Sequence, residues 1–167
     1  MQNIENTFIN LLERHKGIVY RIAHIYAFTQ EDKRDLQQEI IFQLWKSFPS
    51  FRGESQFSTW MYRVAVNTAI THVKHEKRRI KPHFSDNFPD IKYNEYDPTP
   101  DIQMKAFYWA VQYLKPVEKA IIFLFLENIP HKEIAENLGI TEVNARVKLT
   151  RIKEKIQSIL KDNNYEF

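Results

Sequence analysis

The chain has 167 residues, 43% hydrophobic and 27% charged, a balance that builds a packed core and excludes a disordered polypeptide. The absence of cysteine excludes disulfides, thiolate metal sites and cysteine nucleophiles, and three glycines are too few for a turn-rich β fold or a Gly-rich phosphate loop. The net charge of +3 is unevenly spread, with 13 Lys/Arg against 8 Asp/Glu over residues 1–83, 10 against 7 over 102–163, and five acids with one lysine over 84–101. Two basic blocks thus flank an acidic connector; basic faces attract phosphate backbones, although solvated helix faces produce the same count.

In chain order, Phe8, Leu11, Leu12, His15, Val19, Ile22, Ala23 and Tyr26 recur at three- and four-residue steps and predict a first helix from Glu5 to about Phe28. A second is predicted after Thr29, a cap with Asp32 three residues on, through Ser47, with Leu36, Ile40, Phe42, Leu44 and Trp45 as its apolar face. Periodicity alone assigns Phe42 and Trp45 to the core. Pro49 ends this helix, because proline blocks continuation and restricts the residue before it. A third helix is predicted to begin near Ser55 or Ser58, to pack through Phe57, Trp60, Met61, Val64, Ala65, Thr68 and Val73, and to end in "KHEKRRIK".

Residues 82–101, "PHFSDNFPDIKYNEYDPTPD", contain four prolines, are acidic and follow neither period, which reads as a linker. Its aromatics Phe84, Phe88, Tyr93 and Tyr96 are alternatively docking anchors. Helical patterning resumes at Ile102 and runs to Leu160, broken at Lys115-Pro116, Asn128–His131 and Gly139. The expectation is an all-α chain of two small helical domains, 1–81 and 102–163, joined by 82–101. The opening "MQNIENTFIN" lacks a signal pattern and the longest apolar run, "AIIFLFL", is too short to span a bilayer, so a cytoplasmic protein without membrane insertion is expected.

"HKEIAENLGITEVNARVKLTRIKEKI" is the most interpretable stretch. Gly139 suits the left-handed end of a short helix, Thr141 caps the next, and Glu142 complements its positive end. Ala135 allows a close crossing, with Ile134, Leu138, Ile140, Ala145 and Leu149 as shared core. This is the pattern of a helix-turn-helix, favoured over a hairpin that only packs, because small residue, turn glycine, cap and basic second helix coincide. Arg146, Val147, Thr150 and Arg151 lie opposite the core, flanked by Lys148 and Lys153. Arginine can pair with guanine edges, and Thr or Val can contact thymine methyls.

"DKRDLQQEIIFQLWKSFPSFRGESQFSTWMYRVAVNTAITHVKHEKRR" resembles region 2 of bacterial sigma factors of the extracytoplasmic-function group in the sigma-70 superfamily, and "YLKPVEKAIIFLFLENIPHKEIAENLGITEVNARVKLTRIKEKI" resembles their region 4. The resemblance implies a factor that binds core RNA polymerase and directs promoter recognition, strand opening and initiation, with no chemistry or cofactor of its own. It implies that the second helix meets the clamp helices of the polymerase's largest subunit through Asp35, Gln38, Glu39, Phe42 and Trp45, and that region 4 meets the flap. It implies that Phe51, Arg52, Gly53, Glu54, Ser55 and Gln56 hold an extruded minus-ten base and that Asn67 faces the melted strand, with Tyr62, Arg63, Val66 and Ile70 on the same outward side. Lys74, Lys77, Arg78 and Arg79 would grip phosphates, and Thr141, Arg146, Val147, Lys148, Thr150, Arg151 and Lys153 would meet the minus-thirty-five duplex. Val143, Ala145 and Val147 depart from the family's usual recognition-helix pattern. Promoter DNA and an anti-sigma protein are further implied partners, and the linker is implied to occupy the RNA exit path.

Two other readings compete: a stand-alone helix-turn-helix regulator, usually a symmetric dimer, and a helical adaptor without DNA contact. His72, His75 and Glu76 share a face at metal-ligand spacing, but lack further ligands and sit among cations. His131 reads as a surface residue. No Asp or Glu pairs with a His or Ser in a pattern suited to acid–base or nucleophilic catalysis, so an enzyme is the weakest reading.

Overall fold

The structure, a computed structural model, describes residues 2–79 and 102–165, with the backbone alone for Gln2, Lys77, Arg78, Arg79 and Ile102. The described residues form seven α-helices: α1 (Gln2–Tyr26), α2 (Gln30–Ser47), α3 (Phe57–Arg79), α4 (Ile102–Val111), α5 (Pro116–Leu126), α6 (His131–Leu138) and α7 (Glu142–Asp162). A 3-10 turn, Phe48–Ser50, follows α2. The expected linker over 82–101 lies outside the described residues.

Local chemistry explains the boundaries. The Thr29 hydroxyl accepts the Asp32 backbone N–H at 3.1 Å, and the acids Glu31 and Asp32 lie at the positive end of α2. Pro116 opens α5 at a position where its missing N–H costs nothing, and the Glu118 carboxylate accepts the Lys115 N–H at 2.8 Å. Gly139 ends α6 at φ 66°, and the Ile140 N–H reaches back to the Ala135 carbonyl. The Thr141 hydroxyl then accepts the Asn144 N–H at 3.2 Å to start α7.

Helices α1, α2 and α3 pack together through Phe8, Ile22, Leu36, Ile40, Leu44, Met61 and Ala65, all buried. Helices α4 to α7 pack through Ala110, Val111, Ile134, Leu149, Ile152 and Ile156. Helix α5 belongs to both groups: it contacts α6 and α7 on one side and α1 and α3 on another. All six residues from Lys119 to Leu124 are consequently buried. A helix apolar on every face is one enclosed on every face, and burying side chains such as Ile121 or Phe123 contributes roughly 1.5–3 kcal/mol each.

The junction between the two groups is tied by polar contacts as well as by α5. The Tyr26 hydroxyl donates to the Pro116 carbonyl at 2.7 Å. Gln112 Nε2 and Lys119 Nζ both donate to the Ile25 carbonyl, at 3.1 and 3.2 Å. Lys119 is buried, so its charge needs such partners; it also donates to Gln112 Oε1, and its position at the carboxyl end of α1 is the favourable one for a cation.

Candidate polymerase and nucleic-acid interfaces

On α2, Leu36, Ile40 and Leu44 turn inward, leaving Asp35, Gln38, Phe42 and Trp45 on an exposed opposite face. Phe42 is 56% exposed and Trp45 41% exposed, which corrects the assignment of both to the core from periodicity. The physical reason is that an apolar run longer than one stripe cannot all face one core. Trp45 does both jobs, with its ring 5.1 Å from that of Phe8. Glu39 lies at the edge of the face, half-buried, and accepts from Gln43 Nε2 at 2.9 Å. Ile41, also exposed, enlarges the apolar patch and was missed; the signal was the excess of apolar residues between 40 and 45.

The loop after α2 is shaped by an aromatic cluster. Phe48 lies 5.2 Å from Phe8 and 6.3 Å, stacked, from Phe51. Phe51 in turn meets Trp60 at 5.2 Å and Phe57 at 5.7 Å. Phe51 is thus half-buried, anchoring the loop, while Arg52, Gly53, Glu54, Ser55 and Gln56 are exposed. Gly53 takes φ 72°, the left-handed conformation that a β-carbon disfavours. A cleft of about 320 Å³ is lined by Ser50, Phe51, Arg52, Glu54, Ser55, Trp60 and Arg63, a volume within the range of small-ligand pockets. Trp60, read mainly as a packing residue, also walls this cleft.

Along α3, Asn67 is exposed and borders a groove with Glu39, Gln43, Thr71, His72 and His75. His72 is half-buried and His75 exposed. Lys74 is exposed, and Lys77, Arg78 and Arg79 complete the last turn of the helix. Val66 and Ile70, expected on the outward side, are buried instead, because α3 packs against α1, α2 and α5 rather than against one neighbour.

Tyr62 and Arg63 are engaged by the far half of the chain. Tyr62 is 8% exposed, its ring 6.0 Å from Phe123 and its hydroxyl donating to Glu127 Oε2 at 2.7 Å. Burial first, then the adjacent Glu127 carboxylate, pushes the phenol up to about 12. The same carboxylate accepts Arg21 Nε at 2.7 Å and Arg21 Nη2 at 2.8 Å. Arg63 Nε donates to Asn137 Oδ1 at 3.0 Å, while Asn137 Nδ2 is buried without a partner among the described residues. Arg21 and Glu127 are separated by 106 positions, so no local signal could have paired them.

The second helical pair places Ala145 and Leu149 inward and Arg146, Val147, Thr150 and Arg151 outward on α7. Lys148 and Lys153 flank this face; Lys148 is half-buried, and Lys153 Nζ lies 4.0 Å from the Phe125 ring centroid. Arg146 pairs with Glu142 at 2.6 Å, one turn earlier, and the Thr141 hydroxyl serves the cap. Val143, 71% exposed and noted only as a departure from the family pattern, and exposed Asn144 belong to the same end of α7 and were not assigned to the DNA face, although helical phase places Val143 directly above Val147. His131 is half-buried, its ring 6.2 Å from Phe125, rather than a plain surface residue.

Comparison with known proteins places these elements in a family. Residues 11–79 match the family model of Sigma-70 region 2, and residues 105–156 match that of Sigma-70 region 4. The chain is 26% identical over 166 residues to the ECF RNA polymerase sigma factor SigG of Mycobacterium tuberculosis, covering 83% of this chain and 45% of that protein. It thus spans about half the length of that relative. It is 27% identical over 169 residues to the ECF RNA polymerase sigma-E factor of Haemophilus influenzae, covering 94% of this chain and 89% of that protein. Among solved structures, the sigma factor RpoE of Bartonella quintana, in complex with the anti-sigma factor NepR, shares the fold at a TM-score of 0.69 and 16% identity, covering 96% of this chain and 98% of that one. CnrH, in complex with the cytosolic domain of CnrY, does so at 0.66 and 14%, covering 96% and 91%. With region 2 and region 4 matched in order along one chain, the protein belongs to the sigma-70 family, in its extracytoplasmic-function (ECF) group.

Proposed function

We propose that this chain is a sigma factor that binds core RNA polymerase, recognises a promoter and supports strand opening, contributing recognition rather than chemistry. The observation that carries the reading is the pairing, on one chain, of an exposed apolar α2 face with a helix-turn-helix whose basic face is also exposed. A stand-alone regulator needs the second and has no use for the first. Phe42 and Trp45 would anchor the contact with the polymerase clamp helices, with Asp35, Gln38 and Glu39 meeting basic groups at its rim.

The aromatic-walled cleft beside Phe51 and Trp60 would receive a minus-ten base, since unpaired bases stack on aromatic rings and are held by hydrogen bonds to their edges. Asn67 can donate and accept toward the opened strand. Lys74, Lys77, Arg78 and Arg79 would neutralise phosphates. On α7, Arg146 and Val147 would read the minus-thirty-five major groove, with Thr141, Lys148, Thr150, Arg151 and Lys153 around them; Arg146 is already within reach of the solvent face and needs only to leave Glu142. Region 4 would also meet the polymerase flap. The domain division at 1–81, 82–101 and 102–163 belongs to the same proposal. One structural neighbour, RpoE, is seen with an anti-sigma factor, NepR, which supports a partner of that kind here. No helix among the described residues is long and apolar enough to cross a membrane, in keeping with a protein that works on polymerase and DNA in the cytoplasm.

Transcription with purified core polymerase tests the reading. Promoter-dependent transcripts that require this protein are expected. DNA binding without transcripts would instead identify a stand-alone regulator, and binding to neither polymerase nor DNA an adaptor.

A further inference from the structure

Glu127 is held more tightly than a surface carboxylate at a helix end requires. Three donors converge on it: two guanidinium nitrogens of Arg21, at 2.7 and 2.8 Å, and the Tyr62 hydroxyl at 2.7 Å. A planar guanidinium fork fits a carboxylate and a phosphate with the same two-point geometry, and a phenol adds a third donor to either. Arg21 and Tyr62 belong to the first three helices; Glu127 caps α5 from the other half. The fork opens onto a cleft of about 770 Å³ whose lining includes Arg14, His15, Gln56 and Thr59. Glu54 and Ser55 line both this cleft and the aromatic-walled one beside Phe51, so the two clefts adjoin.

The surrounding contact is only partly satisfied. Arg63, on the wall of the aromatic cleft, is tied to Asn137, whose amide nitrogen is buried with no partner among the described residues. A cover that leaves a buried donor unpaired is replaceable by a ligand that pairs it or releases it to water.

We infer that Glu127 is an internal competitor for single-stranded DNA: its carboxylate occupies a phosphate-binding fork formed by Arg21 and Tyr62, and a backbone phosphate takes that place when α5 withdraws. This rests on the reading of the α3 face as the strand-binding surface. It predicts that the closed chain binds a single strand weakly and that loss of the Glu127 charge strengthens binding while Arg21 remains.

The test is fluorescence anisotropy of the full chain with a labelled mixed-sequence single-stranded oligonucleotide, since phosphate contacts do not depend on sequence. Glu127→Gln is expected to tighten binding about tenfold, because removing the competing carboxylate raises the fraction of chains whose fork is free. Arg21→Ala breaks the same contact but removes the phosphate ligand, and is expected not to tighten. Glu133→Gln removes a half-buried carboxylate that lines the same cleft but accepts nothing from Arg21 or Tyr62, and should change affinity by less than about twofold. Small-angle scattering should show a larger radius of gyration for Glu127→Gln.

Unchanged affinity in Glu127→Gln overturns the proposal, whether or not the chain opens. Equal tightening by Arg21→Ala overturns the fork, and equal tightening by Glu133→Gln reduces the effect to net charge and overturns it too. If Glu127→Gln fails to fold by circular dichroism, Glu127→Ala, which also removes the competing carboxylate, carries the same expectation. Transcription with core polymerase separates the two claims: tightening without transcripts removes the sigma reading and leaves the fork, whereas transcripts without tightening do the reverse.

Discussion

The two candidate DNA faces differ in how they are presented. On α7, Arg146, Val147, Thr150 and Arg151 stand exposed on a helix whose opposite face is anchored by Ala145, Leu149 and Ile152. On α3, Asn67 is exposed but Tyr62 is buried under α5 and Arg63 is bonded to α6. One face is ready as folded; the other is partly occupied by the protein itself. The difference is that α7 packs mainly with α4, α5 and α6, whereas α3 shares α5 with the second half.

The largest effect is expected at α5. Leu124→Ala removes a fully buried side chain from the helix common to both halves and should cost about 2–5 kcal/mol. Both halves should lose stability together, seen as coincident denaturant transitions from probes in each; a loss confined to α4–α7 would show that α5 does not join them.

Arg146→Ala leaves the fold intact and should weaken discrimination in the minus-thirty-five duplex by about 1–3 kcal/mol at one base position. A binding series over single-base duplex variants measures this, and an unchanged preference removes Arg146 from the reading face. Asn67→Ala should act on the other face, weakening open-complex formation by about 1 kcal/mol, roughly fivefold to tenfold, with duplex binding unchanged. Equal loss of both, or of neither, would count against a strand contact.

The last expected effect is a pH dependence confined to alkaline conditions. The Tyr62 phenol lies above its ordinary value near 10, pushed up to about 12 by burial and then by Glu127. A group with a raised folded pKa contributes stability that is present below its unfolded value and lost as pH rises through the folded one. The closed packing should therefore weaken between about pH 10 and 12, and Tyr62→Phe should flatten that dependence in a denaturant titration.

Much of the fold was legible because its signals are local. Thr29, Pro49, Pro116, Gly139 and Thr141 act through their own backbone neighbours, so helix ends within a residue or two could be read directly. The exposed basic face of α7 was legible for the same reason: one helix, one buried stripe, one exposed stripe. The α2 face was half legible, since periodicity assigned Phe42 and Trp45 inward and only the three-helix packing shows how few of its apolar residues the core can accept. Val66 and Ile70 were misplaced because α3 has neighbours on more than one side.

Local sequence was enough for the helical character of the described residues, the positions where helices stop, the helix-turn-helix and the residues that carry the family likeness. Tertiary structure alone decided that "AIIFLFL" is apolar all round because two helical groups share it, and that Glu127 lies on Arg21 and Tyr62. Capping and periodicity are interactions of a few residues with themselves. The closure of α5 over α3 pairs groups more than sixty positions apart, where nothing in the intervening sequence marks the partner.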